Sequence, residues 1–542
     1  MKAFSFTAIA QAPVAGEAAP ARNRVRLLAL GVFAVLLLLS GRAIQLAFSG
    51  DPLAAPRGVA AVARIERADI VDRNGELLAT TVRSFALTAE PHRVWDANQT
   101  ADVLRGLFPD LDRATLVRRL NDTSRRLIYL RRSLSPEQRE QVQALGLAGI
   151  GFEREDRRTY PHGELAAHTL GFTDVDLNPL AGVELGLDEQ IRAAAAEGRP
   201  VRLSLDVRIQ YALETELASA ARASSASAAS AILLDGRTGE VYALASWPTY
   251  NANAAGQASE AARTDRIAGD VHELGSTVKP FTVAMALQEE LTNSGELFDL
   301  NQFFDVDGSI IEDHEPAPGL ASLREIIAHS SNIGAARLAL RLGGARQRSY
   351  LERLGLLSPP TLELARRQEP IAPSARSRRD VAGLGFGYGL ATTPATLAGA
   401  YTVFTNQGAR VAPTLLARRP DVEIERATVF SPEVTRQVLA YMRATVTSGT
   451  GRAADVPGLA VAGKTGTAEV FENTTGYDES RNFSSFAGVF PAHDPRYVIV
   501  VSLDGVGEGA VGGAIAAPVV ARTLRRIAPM LGLRVEPSPP TR

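Results

Sequence analysis

Cysteine is missing altogether from the 542-residue sequence. That excludes disulfides, thiolate metal sites, a cysteine nucleophile and a lipid-modified N-terminal cysteine. Lysine is almost missing: of 58 basic residues only Lys2, Lys279 and Lys464 are lysine, and the other 55 are arginine. Arginine keeps its proton in proteins, whereas lysine can be tuned to act as a base, so two interior lysines in an arginine-rich chain invite a chemical explanation. Excess positive charge is missing too. The formal net charge is -2, which argues against nucleic acid as the main partner, because phosphate binding needs clustered cations. The seven histidines (His92, His162, His168, His272, His314, His329 and His493) show no metal-ligand spacing such as H-E-x-x-H, and no metal is implied. Internal repeats are absent, so a solenoid is not expected.

What is present is ordinary globular composition, 45% hydrophobic and 22% charged, enough for a large core. At about 100–200 residues per domain the length suggests two or three domains. One long apolar run stands out. Arg22, Arg24 and Arg26 precede Leu27–Phe48, which is broken only by Ser40, Arg42 and Gln45. As a helix it spans about 33 Å at 1.5 Å per residue, enough to cross a hydrocarbon layer of about 30 Å. The basic flank places the N-terminus in the cytoplasm, and Arg42 can snorkel outward at the far end. Ala47-Phe48-Ser49 is a weak cleavage-like triplet, but the run is long for a signal peptide, so a retained anchor is expected.

Ser49–Arg57 reads as a linker. From Val59 to Pro200 short strands and helices mix, and Asp72-Arg73-Asn74-Gly75 forms a turn. Asp206 is placed to cap a helix over Val207–Ala221. Ala231–Asp235 and Glu240–Ala245 flank Gly236–Gly239 as a hairpin. Leu459–Val470, Asn482–Phe490 and Tyr497–Leu503 are further strands. Strands at both ends with helices between them predict an α+β layout around one antiparallel sheet. The tail Pro537–Arg542 is expected to be disordered.

Both interior lysines lie in chemical motifs. In Ser276-Thr-Val-Lys279 the two functional residues stand at i and i+3 in the first turn of a helix, because Pro280 fits only near a helix start. A hydroxyl beside a desolvated amine has a base available, and a helix N-terminus favours developing negative charge. Ser330-Ser331-Asn332 adds a hydroxyl and an amide. Lys464-Thr465-Gly466-Thr467 lies on a predicted strand, where Gly466 lets a ligand backbone approach closely. Gly458 to Thr465 also matches the phosphate-loop pattern Gly-x4-Gly-Lys-Thr, and Val498–Asp504 resembles the strand that accompanies it. A phosphate loop must run into a helix N-terminus, however, and Gly466–Phe471 reads as strand.

The ordered trio Ser-x-x-Lys, Ser-x-Asn and Lys-Thr-Gly resembles the penicillin-binding proteins and serine β-lactamases. Arg67–Ala79, Arg158-Thr-Tyr-Pro161 through Gly171, and Gly182-Val-Glu184 are similar to the pedestal signatures of class B penicillin-binding proteins. Gly385-Phe-Gly387-Tyr-Gly389, Thr393-Pro394, Ala400-Tyr401 and Asn406-Gln-Gly408 match the catalytic part. The likeness covers about residues 25–530 and is strongest to the division-specific, FtsI type; Ala68 departs from it, standing where the family usually has glycine. It implies a cytoplasmic tail over 1–22, a transmembrane anchor over 23–48, and an elongated mixed pedestal domain over 49–200. A transpeptidase domain over 201–530, with a five-stranded antiparallel sheet flanked by helices, and a tail over 531–542 follow. It further implies that Ser276 attacks stem peptides ending in D-Ala-D-Ala, with Lys279 as base. Ser330 relays the proton, Asn332 orients Lys279, and Lys464, Thr465, Gly466 and Thr467 form the carboxylate site. The backbone N–H groups of Ser276 and Thr467 would form the oxyanion hole. β-Lactams, the membrane, a membrane glycosyltransferase and other division proteins are the implied partners, and no cofactor is implied. An elongation-specific transpeptidase, an idle β-lactam-binding scaffold and a β-lactamase are the competing readings.

Overall fold

The computed structural model describes residues 19–48, 67–300, 303–314, 319–419, 421–472, 476–507 and 511–535. The expected linker over 49–57 and tail over 537–542 lie outside them. The chain divides into two compact units, Met1–Arg64 and Ile65–Arg542. The first contains α1 (Ala19–Phe48), whose described side chains are those of residues 27–41, all exposed. Among the described residues no helix is long and apolar enough to cross a membrane, and the ends of the expected anchor fall outside the described side chains.

The second unit opens with a mixed sheet of β1 (Ile70–Val71), β2 (Leu77–Ala89), β3 (Ile128–Leu134), β4 (Ile150–Thr159) and β5 (Val201–Arg202). The turn between β1 and β2 follows from its residues. Asp72 Oδ1 accepts from the N–H groups of Asn74 (2.7 Å) and Glu76 (2.9 Å), and Gly75 takes φ +94°. The same turn grips the next domain: Asp72 Oδ2 accepts from Val207 N, and Asn74 Nδ2 donates to Asp206 Oδ2. A buried ion network ties the three pedestal signatures together. Arg67 donates to Glu184 Oε2 at 2.9 Å through Nε, and Arg158 Nε donates to Glu184 Oε1 at 2.6 Å. Ala68 does not take a positive φ, so this backbone imposes no need for glycine there.

The larger sheet runs in the order β10-β11-β12-β6-β7, all antiparallel. Its strands are β6 (Ala228–Asp235), β7 (Val241–Trp247), β10 (Ala462–Glu472), β11 (Gly476–Phe490) and β12 (Tyr497–Gly507), while β8 (His272–Glu273) and β9 (Ala391–Thr392) pair separately. The apolar run Tyr497–Leu503 is buried throughout, as a central strand must be. One face is covered by α2 (Val207–Ala223), capped by Asp206 as predicted, and by the C-terminal helix Ala516–Ile527; Ile209, Leu213, Leu217, Val520 and Leu524 pack there. Each such buried side chain contributes about 1.5–3 kcal/mol. The opposite face carries α3 (Lys279–Gln288), α4 (Leu323–Ala328), α5 (Asn332–Leu342), α6 (Arg378–Phe386), α7 (Pro394–Tyr401) and α8 (Pro432–Thr447). A lane of small residues, Gly466, Ser485, Ser502, Ser230 and Ser246, crosses the five strands in register. At its β10 end the missing side chain of Gly466 admits the turn that bears Ser276.

Candidate active site

Ser276 sits in a 3₁₀ turn, Gly275–Val278, that leads directly into α3 with Pro280 in its first turn. Residues three apart eclipse in such a turn, which brings Ser276 and Lys279 to one side. The turn is pinned on two flanks. A Cβ on Gly466 would lie 2.4 Å from Ser485 Oγ, 2.9 Å from Thr277 Cγ2 and 3.2 Å from the Leu274 carbonyl. Gly466 therefore admits the nucleophile turn, a role beside the approach of a ligand backbone expected from the sequence. On the other side Gly387 takes φ +90°, and a Cβ there would meet the Gly275 carbonyl at 2.1 Å.

The second motif lies at the junction of α4 and α5. Ser330 holds the left-handed conformation at φ +64°, uncommon for a residue with a side chain, and such strain concentrates at functional positions. Its Oγ hydrogen-bonds Ser276 Oγ at 2.9 Å and Lys279 Nζ at 3.1 Å. Lys279 Nζ also donates to Asn332 Oδ1 at 2.7 Å and to the Ser330 carbonyl. The hydrogen bonds thus join Ser276 to Lys279 through Ser330. Lys279 is fully buried; desolvation, with the charge of Lys464 adding to it, drives its pKa well below the ordinary lysine value, and Asp313 opposes the shift. Burial thereby favours the neutral form that a base requires.

Lys464 and Thr465 lie on β10, not at a helix start, so the phosphate-loop match has no structural counterpart. Lys464 is buried, which lowers its pKa to about 7, and its Nζ donates to the Thr465 carbonyl at 2.9 Å and to Thr465 Oγ1 at 3.3 Å. Thr467 is exposed, and its hydroxyl accepts from Gly512 N at 3.2 Å.

Asp313 escaped sequence reasoning. Its Oδ1 accepts from the N–H groups of Asn332 (2.5 Å) and Ile333 (3.0 Å), and its Oδ2 accepts from Ser331 Oγ (2.7 Å). A carboxylate over the first turn of α5 satisfies orphan donors and complements the helix dipole. The Glu312 carbonyl accepts from Asn332 Nδ2 at 3.0 Å, which leaves Asn332 Oδ1 facing Lys279. Asp313 stands 19 residues before Asn332 in an unpatterned loop, so no local signal pointed to it.

Comparison with known proteins identifies the domains of the chain. The penicillin-binding protein transpeptidase domain model matches residues 229–525, and the penicillin-binding protein dimerisation domain model matches residues 63–192. A probable peptidoglycan D,D-transpeptidase FtsI of Caulobacter vibrioides is 38% identical, over 86% of this chain and 82% of that protein. The chain belongs to the class B penicillin-binding proteins. Another member, the peptidoglycan D,D-transpeptidase FtsI of Escherichia coli, is 32% identical over 84% of this chain and 82% of its own. Among solved structures, penicillin-binding protein 3 of Mycobacterium tuberculosis complexed with aztreonam superposes with a TM-score of 0.69 at 25% identity. It covers 88% of this chain and 98% of its own. In this class B penicillin-binding protein the two matched domains follow one another, all but the first two matched residues lying in the compact unit Ile65–Arg542.

Proposed function

We propose that this chain is the peptidoglycan D,D-transpeptidase of cell division, acting through an acyl-enzyme on Ser276. The observation that carries the chemistry is the half-buried chain Ser276 Oγ, Ser330 Oγ, Lys279 Nζ, closed by Asn332 Oδ1. Ser276 Oγ attacks the carbonyl of the penultimate D-alanine in a stem peptide ending D-Ala-D-Ala. Its proton passes to Ser330 Oγ while the Ser330 proton passes to neutral Lys279. The tetrahedral oxyanion rests on the backbone N–H groups of Ser276 and Thr467, each such donor contributing about 3–4 kcal/mol to catalysis in comparable sites. When the C–N bond breaks, Lys279 returns the proton through Ser330 to the departing D-alanine amine. An amine of a neighbouring stem peptide then attacks the ester, loses its proton along the same path and leaves a cross-link with Ser276 restored. Lys464, Thr465 and Thr467 receive the terminal carboxylate, and β-lactams enter as mimics of D-Ala-D-Ala.

The apolar side chains of Leu27–Leu39 are exposed on every side of α1, which supports a membrane anchor, and the basic flank Arg22, Arg24 and Arg26 supports a catalytic domain on the periplasmic face. The likeness to proteins named FtsI supports a septal role, and a membrane glycosyltransferase and other division proteins are its proposed partners. The test is to incubate the purified full-length chain in detergent with a stem pentapeptide and a D-amino acid acceptor, following D-alanine release and exchanged product by mass spectrometry. Release and exchange that vanish in Ser276→Ala support the reading; neither product with the unaltered chain sinks it. A fluorescent fusion spread along the lateral wall rather than at midcell would reassign it to elongation.

A further inference from the structure

Thr450 lies outside all three motifs, yet it touches one of them and the end of the helix that leads into another. It follows α8 in the tight segment Ser448–Gly451, where a Cβ on Gly449 would lie 2.1 Å from the Ala328 carbonyl. The Thr450 N–H donates to that same carbonyl at 3.2 Å, two residues before Ser330. Its hydroxyl stands 2.7 Å from Thr465 Oγ1. Thr450 thus clips the end of α4 to β10.

The contact decides which way the Thr465 proton points. A threonine hydroxyl has one proton and two acceptor lone pairs. Lys464 Nζ, a donor, occupies one lone pair of Thr465 Oγ1 at 3.3 Å. If Thr450 donates into the other, both are filled and the Thr465 proton must point away from both partners. If Thr465 donates to Thr450, that proton is spent. A carboxylate only accepts, so it selects the first arrangement. We propose that Thr450 is a positioning residue that sets the Thr465 hydroxyl as a donor to the carboxylate of the stem peptide or β-lactam. This rests on the carboxylate role of Thr465 given above.

The test compares wild type with Thr450→Val, which keeps shape and loses the donor, and with Thr450→Ser, which keeps the donor. Stopped-flow acylation is measured with a chromogenic cephalosporin and with its carboxylate methyl ester, separating the pre-acylation dissociation constant from the limiting rate. Thr450→Val should weaken binding of the acid about five- to tenfold, the worth of one hydrogen bond. Its limiting rate and its binding of the ester should match wild type, and Thr450→Ser should lie within about twofold of wild type. An equal loss on acid and ester, or a loss confined to the limiting rate, overturns the proposal. Should Thr450→Val fail to fold, Thr450→Ala makes the same comparison. Wild type that does not distinguish acid from ester refutes the carboxylate site itself, a different failure from an unaffected Thr450→Val.

Discussion

Two lysines at hydrogen-bonding distance from hydroxyls do opposite work, and burial sets both. Lys279 must be neutral to take a proton, so the acylation rate should climb with pH through its lowered pKa and then level off. Lys279→Arg should abolish acylation, because a guanidinium cannot deprotonate. Lys464 must be charged to attract a carboxylate. With a pKa of about 7 in the free protein it is protonated below that pH and neutral above it. The dissociation constant for carboxylate-bearing β-lactams should therefore rise as pH passes 7 upward, approaching about tenfold per unit. Affinity unchanged from pH 6 to 9, measured by stopped flow, would remove that role.

At the scale of elements, the site depends on where three short segments end. Asp313 fixes the start of α5 and also acts on Lys279 by its charge. Asp313→Asn should shift the rising limb of the pH–acylation profile to lower pH, because the lost negative charge had favoured protonated Lys279. Asp313→Ala should in addition cost about 1–3 kcal/mol in denaturant unfolding, from an uncapped helix and unpaired donors. Gly387→Ala should abolish acylation, since its Cβ would press on the Gly275 carbonyl and displace Ser276. A Gly387→Ala enzyme that acylates at the wild-type rate would show that the contact is not needed. These element-level features were the least legible in the sequence. The helix capped by Asp206, the Asp72–Gly75 turn and the strands of the large sheet were visible because their signals are local. The lysine motifs were visible because lysine is rare. Asp313, Thr450 and the Gly387–Gly275 contact join segments remote in sequence, and only the fold brings them together. Gly466 was singled out for ligand approach, and the packing adds a second reason for glycine there: the turn with Leu274, Ser276 and Thr277 approaches it.

For the molecule as a whole, the pedestal and the catalytic domain share structure. β1 of the pedestal pairs in parallel with β5, and Tyr160 N and O exchange hydrogen bonds with the side chain of Asn253 at 2.9 and 2.8 Å. Residues 65–542 should accordingly unfold in one calorimetric transition, and two resolved transitions would show the domains to be independent. Glu184→Gln should destabilise this unit by about 3–5 kcal/mol, because it strands Arg158 as a buried charge and leaves Arg67 with Asp188 as its carboxylate. The central claim concerns one oxygen atom. Its most direct test is the intact mass of the purified protein over time in benzylpenicillin, beside Ser276→Ala and Lys279→Arg. The account predicts a persistent adduct of one acyl group on the unaltered chain and none on either variant. An adduct that survives in Ser276→Ala, or none on the unaltered chain, would contradict it.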